Sequence, residues 1–166
     1  MDMSKYVKMY VSESQDRLQR MDGLLLALEQ NGGDRAAIDT LFREAHSIKG
    51  MSASMSYEEL AKVAHRMEDY LDQFRGGKGG LERRGVDLLF EGVDLLRLAV
   101  EEIAAGRPAA LEADPYVAKM ATLILAEPEA APPPIQATAK AAPPSQASGG
   151  SRFAVDLQIA ADAPLP

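Results

Sequence analysis

Glycine-bearing breaks divide the first 126 residues, and between them apolar side chains recur every three or four positions. That spacing suits amphipathic helices, because a half-buried strand needs period two. The breaks are Asn31-Gly32-Gly33-Asp34, Gly76-Gly77-Lys78-Gly79-Gly80 and Gly106-Arg107-Pro108. Residues 3–30 carry Tyr6, Tyr10, Leu18, Met21, Leu25 and Leu28 on one stripe. Asp34 is placed to cap a second helix over residues 35–54. Ser56, with Glu59 three positions on, has the form of a capping box for a third helix. That helix presents Leu60, Val63, Ala64, Met67, Leu71 and Phe74. A fourth runs through Val86, Leu89, Phe90, Val93, Leu96 and Val100, and a shorter fifth spans Pro115 to Ala126. Short connections imply antiparallel neighbours. The expected fold over residues 1–126 is therefore all-α: an antiparallel up-down helical bundle of four main helices plus a shorter fifth.

After residue 126 the composition changes. Residues 127–151 are rich in Ala, Pro, Ser, Gln and Gly, with Pro132-Pro133-Pro134 and Pro143-Pro144. Such a segment lacks the apolar surface to offset its ordering entropy, and a disordered linker is expected. In residues 152–166, Phe153, Val155, Leu157 and Ile159 alternate with Ala154, Asp156 and Gln158. Period two reads as a β-strand. A lone strand cannot fold alone, so the start of a further β-containing domain, cut short at Pro166, is expected there.

The charge of −7 and the absence of a basic stripe argue against nucleic acid as a partner. There is no cysteine, which removes disulfides and thiolate metal sites and suits a reducing cytoplasm. No apolar run approaches the roughly 20 residues that span a bilayer, so no membrane insertion is expected. Met1-Asp2-Met3-Ser4-Lys5 has no apolar h-region, so no signal peptide is expected.

The chemistry concentrates at His46. Its helix buries residues 38, 41, 42, 45 and 48, which places His46 roughly 100° from the centre of the stripe, at its edge. Lys49 lies one turn on. Gly50 follows at i+4, where glycine weakens a helix by about 1 kcal/mol relative to Ala. An accessible imidazole, a cation beside it and open space above it suit phosphorylation by a partner. Across the turn near residue 55, His65 and Glu68 lie at similar height on the third helix. Glu68 is offset from its own stripe by roughly 100° in the same sense as His46, so the two fall on one side of the antiparallel pair. His65 projects further out and flanks them. A carboxylate accepting the Nδ1 proton fixes the tautomer and leaves Nε2 as nucleophile; Glu68 is the candidate. Lys49 can neutralise phosphoryl oxygens. Each residue also has an ordinary reading: His46 and Lys49 as solvated side chains, Gly50 as a packing glycine, His65 and Glu68 as a helix-surface pair.

Ala45-His46-Ser47-Ile48-Lys49-Gly50 resembles the signature of histidine phosphotransfer (HPt) domains, above all the N-terminal phosphotransfer domains of CheA-type chemotaxis histidine kinases. Leu41-Phe42-Arg43-Glu44 precedes it as in that family, and Ala64-His65-Arg66-Met67-Glu68 resembles its second motif. Phe90-Glu91-Gly92-Val93-Asp94 is similar to its fourth helix. The resemblance covers roughly residues 4–126, and Met51 stands where many relatives have a second glycine. It implies that His46 is the phosphoacceptor, Glu68 its orienting carboxylate, Lys49 and His65 the supporting pair, and Gly50 the opening for a partner. It further implies phosphorylation in trans by the ATP-binding domain of a dimeric parent kinase, and transfer to an Asp of a CheY- or CheB-type response regulator. The parent would dimerise through a domain outside this sequence. No nucleotide motif is present, so no cofactor is expected here; ATP would serve the kinase domain. Residues 152–166 resemble, over a short span, the start of a regulator-docking domain. One alternative is a stand-alone HPt protein of a multistep phosphorelay, which usually ends with its bundle. A carboxylate-bridged metal bundle needs Glu-x-x-His on two helices. Arg43 and Lys62 stand where those carboxylates would be. A purely structural bundle would leave His46 unlabelled.

Overall fold

Each break in the sequence ends a helix. The computed structural model describes residues 3–76 and 79–125, and every regular element among them is helical. The helices are α1 (Met3–Gln30), α2 (Arg35–Ser54), α3 (Glu58–Arg75), α4 (Arg83–Ala104) and α5 (Asp114–Leu125). The expected linker (127–151) and strand (152–166) lie outside the described residues, as does Ala126 at the expected end of the fifth helix.

Side-chain pairs fix the directions. Tyr10 meets Ser52 while Arg17 and Arg20 meet Glu44, so α1 and α2 run antiparallel. Asp39 pairs with Arg75 and His46 with Glu68, so α2 and α3 do too. α1 packs against both α2 and α4, and α3 against α2, α4 and α5. Leu18, Met21, Leu25, Ile38, Leu41, Ile48, Leu60, Met67, Leu71 and Leu89 are fully buried between them. At about 25 cal/mol per Å², removing such side chains from water is the dominant favourable contribution to the fold.

Helix ends follow local chemistry. Asp34 caps α2, its carboxylate accepting from the Ala37 N–H at 3.1 Å. α4 closes through Gly106 at φ +71°, with Arg107 N–H donating to Glu102 O and Gly106 N–H to Ile103 O. This is the 6→1 and 5→2 pairing that a left-handed residue permits.

The α2–α3 corner corrects one expectation. Ser56 does not cap α3; the residue before that helix is Tyr57, with no side-chain cap. Ser56 stands at φ +61°, and the same two bonds close α2: Tyr57 N–H to Ser52 O at 2.8 Å and Ser56 N–H to Ala53 O at 3.1 Å. Ser56 thus ends the second helix in the position glycine usually takes. Glu59, freed from the box, accepts from Lys62 and from the Ala113 N–H at 2.9 Å. That bond ties the start of α5 to α3.

Tyr6 also departs from expectation. It is 43% exposed whereas Tyr10 is buried. Tyr10 already lies level with Ser52, near the end of α2, so the turns before it run past the neighbouring helix. α5 is held by Tyr116, buried over Gly92, where a Cβ would stand 2.4 Å from the tyrosine oxygen and 2.9 Å from Met67 Sδ. Gly92 therefore allows α5 to approach α4.

Ser56→Gly discriminates between the two roles of that residue. A left-handed non-glycine costs about 1–2 kcal/mol, partly offset by glycine's entropy, so the variant should gain roughly 0.5–1 kcal/mol in urea unfolding. Loss of an N-cap would give a small decrease instead.

Candidate functional site

His46 follows Ala45, a fully buried residue, by one position, and so leaves the core at its rim. Its side chain is 62% exposed while that of Glu68 is 13% exposed. Glu68 stands on α3 one position after the buried Met67 and reaches across the groove. The carboxylate divides its oxygens between two partners on α2. Oε1 accepts from His46 Nδ1 at 3.0 Å, and Oε2 lies 2.6 Å from the Lys49 ammonium.

Partial burial pushes the Glu68 carboxyl up. The hydrogen bond from His46 and the pairing with Lys49 outweigh it and hold the group below the ordinary carboxylate range. An ionised carboxylate can only accept, so in the neutral imidazole the proton resides on Nδ1 and the lone pair on Nε2. Nε2 has no partner among the described residues. Lys49 itself is only 28% exposed, which shields its ion pair from solvent.

Around this trio the surface is open on one side and braced on the other. A Cβ on Gly50 would meet nothing within 4 Å, so no packing demand inside the bundle explains the glycine. On the far side of α2, about 200° round from His46, Glu44 accepts from Arg17 at 2.8 Å and from Arg20 at 3.1 Å. Its partial burial would raise the carboxyl, and the two guanidiniums bring it down instead. This network pins α2 to α1.

The structure joins three of the expected site residues, His46, Lys49 and Glu68. His65 is set apart: its Nε2 lies 3.3 Å from Asp69 Oδ1 on its own helix, and Arg66 takes the other oxygen at 3.0 Å. The i,i+4 spacing of His65 and Asp69 was a readable signal for that pair. Two further neighbours were missed. Phe42 lies nearly parallel to the His46 ring, and Arg75 places its guanidinium carbon 4.0 Å from the Phe42 centroid. Spacing within α2 could have found Phe42, at i−4; Arg75 needed the register of α3. Among the described residues no group of three or more His, Asp or Glu side chains is arranged to hold a metal ion. No helix among them is long and apolar enough to cross a membrane.

The Hpt domain family matches residues 5–106, more than half of the chain. Chemotaxis protein CheA of Bacillus subtilis (strain 168) is 39% identical over 106 residues, covering 64% of this chain and 16% of that protein. The chain thus spans about a sixth of the length of that relative. A solution structure of the histidine phosphotransfer domain of CheA superposes with TM-score 0.69 at 28% identity, covering 76% of this chain and 97% of the other. The phosphorylated P1 domain of CheA3 in complex with CheY6 from R. sphaeroides superposes with TM-score 0.65 over 72% of this chain and 95% of that one. At 23% identity the last likeness is one of fold.

The ionised Glu68 makes a pH prediction. Its depressed folded value means that its contribution is present above the unfolded carboxylate pKa of about 4.3 and is lost as pH falls through the folded value. In urea unfolding from pH 7 to pH 3, the chain should be more stable than Glu68→Gln by up to about 1 kcal/mol at neutral pH. The difference should close at the acid end. A gap that stays constant with pH would contradict an ionised Glu68.

Proposed function

The chain belongs to the Hpt domain family, and we propose that His46 is its phosphoacceptor. The observation that carries the reading is the Glu68 carboxylate bridging His46 Nδ1 and Lys49, with the imidazole itself exposed. Nε2 attacks the γ-phosphorus of ATP held by a separate kinase domain; the N–P bond forms as the P–O bond to ADP breaks. Positive charge then develops on the ring, whose Nδ1 proton stays shared with Glu68. Lys49 is near enough to turn from Glu68 toward the phosphoryl oxygens. His65, one turn from Glu68 and held by Asp69, supports the α3 side of the opening. In the second step a carboxylate oxygen of the acceptor attacks phosphorus and the N–P bond breaks, regenerating neutral His46.

The chain is in this reading the phosphocarrier of a CheA-type histidine kinase in the cytoplasm. Its phosphoryl donor is the ATP-binding domain of that kinase, dimeric through another region, and its acceptor is an Asp of a CheY- or CheB-type response regulator. The family membership and the CheA likeness support it. So does a fold that, in the R. sphaeroides protein, is phosphorylated and complexed with CheY6. In this reading ATP is bound by the kinase domain and the chain itself acts without a cofactor.

Incubation with ATP and a CheA-type kinase core should place an acid-labile, base-stable phosphate on His46 alone. His46→Gln should remove the label, and His65→Gln should keep the site with an altered rate. Full labelling of His46→Gln would overturn the assignment.

Gly50→Ala separates folding from transfer. With nothing outside its own helical turns within 4 Å of the added Cβ, the helix should gain about 1 kcal/mol. The same methyl group stands in the approach of a partner, and holding the partner off by about 1 Å should slow phosphoryl acceptance by on the order of tenfold or more. Stability and labelling rate moving up together would contradict the role given to Gly50.

A further inference from the structure

The Glu68 hydrogen bond fixes one edge of the His46 ring and leaves a pivot. The imidazole turns about a torsion whose preference is broad. Among the described residues one Nδ1···Oε1 contact at 3.0 Å restrains that torsion, and a single hydrogen bond tolerates tens of degrees of misalignment. The nucleophilic lone pair on Nε2 lies in that plane, so an undefined plane is an undefined direction of attack.

Phe42 supplies a second restraint. It stands four residues before His46, hence on the same face one turn below. The two rings are 19° from parallel with centroids 6.3 Å apart, within the range of offset aromatic pairs. Phe42 is in turn held. It is partly buried against the core, and Arg75 from the end of α3 lays its guanidinium over the ring. Asp39 anchors that guanidinium through Nε at 3.0 Å and Nη2 at 2.9 Å. Leu41 and Ala45 take the fully buried positions of the same turns, which leaves Phe42 at the rim with part of its ring free to meet His46.

We propose that Phe42, clamped by Arg75, is a positioning residue that sets the plane of the His46 imidazole and so the direction of the Nε2 lone pair. Its consequence for transfer rests on His46 being the phosphoacceptor; its consequence for ring geometry does not. Glu68 chooses the tautomer and Phe42 chooses the plane.

The test uses the full 166-residue protein and two substitutions. Phe42→Leu keeps apolar bulk and removes the flat surface; Phe42→Tyr keeps the surface. In proton–nitrogen NMR of the imidazoles, Phe42→Leu should shift the His46 Hδ2 and ring nitrogen signals toward those of a freely averaging ring. His65 signals should stay in place, and Phe42→Tyr should match the parent. With ATP and a CheA-type kinase core, Phe42→Leu should lower kcat by about threefold to tenfold at unchanged KM, as expected for loss of one aromatic pair. Arg75→Gln, which keeps the sequence of α2 and releases Phe42 from its clamp, should give a smaller change of the same kind. Unchanged His46 signals in Phe42→Leu would overturn the proposal. A rate loss that follows the melting temperature and is not restored by Phe42→Tyr would overturn it as well. If the parent chain takes no label on His46, the phosphoacceptor reading fails, and the spectra still decide the positioning role.

Discussion

The antiparallel register of α2 against α3 is the constraint on which the site depends. Asp39 with Arg75, then His46 with Glu68, climb one helix while descending the other. The core beneath them, Leu41, Ala45 and Ile48 against Val63, Ala64, Met67 and Leu71, is fully buried and tolerates no slip of a turn. A slip would carry Glu68 away from both His46 and Lys49. It would leave a partly buried carboxylate without a partner, an unfavourable state. Packing and site therefore specify the same alignment.

Two carboxylates share a physical pattern and serve different ends. Glu44 and Glu68 are each partly buried, and each is held ionised by donors on neighbouring side chains. Glu44 has two guanidiniums and braces α1 to α2. Glu68 has an imidazole and an ammonium, both able to meet a new anion. The difference lies in the partners. A guanidinium pair is a fixed fork, whereas Lys is a mobile point charge and a His donating from Nδ1 keeps a lone pair on Nε2.

The tyrosines mark where polar atoms enter the interior. Tyr10 reaches Ser52 at 2.9 Å, and burial still pushes its hydroxyl up. Tyr70 is pushed up to about 12 by burial and the charge of Glu82, and Tyr116 rises further for the same kind of reason, beside Glu91. All three are therefore neutral at neutral pH. They act as wedges between helices, Tyr116 joining α5 to α4 and Tyr10 closing the α1–α2 end.

The periodicity of apolar residues and the breaks between them were enough to define five helices and their buried faces, because a 3.6-residue repeat is local information. Equal angular offsets placed His46 and Glu68 on one edge for the same reason. Ser56 shows the limit. Ser-x-x-Glu satisfies the start of a helix on paper, yet the closing bonds of the preceding helix claimed the residue. Tyr6 read as core, and only the unequal lengths of α1 and α2 set it outside. His65 with Asp69, and Arg75 over Phe42, likewise depended on which atoms were already engaged. Sequence spacing says which way a side chain leaves its helix. What it meets is decided by register and by competition for partners, and those exist only once the helices have packed.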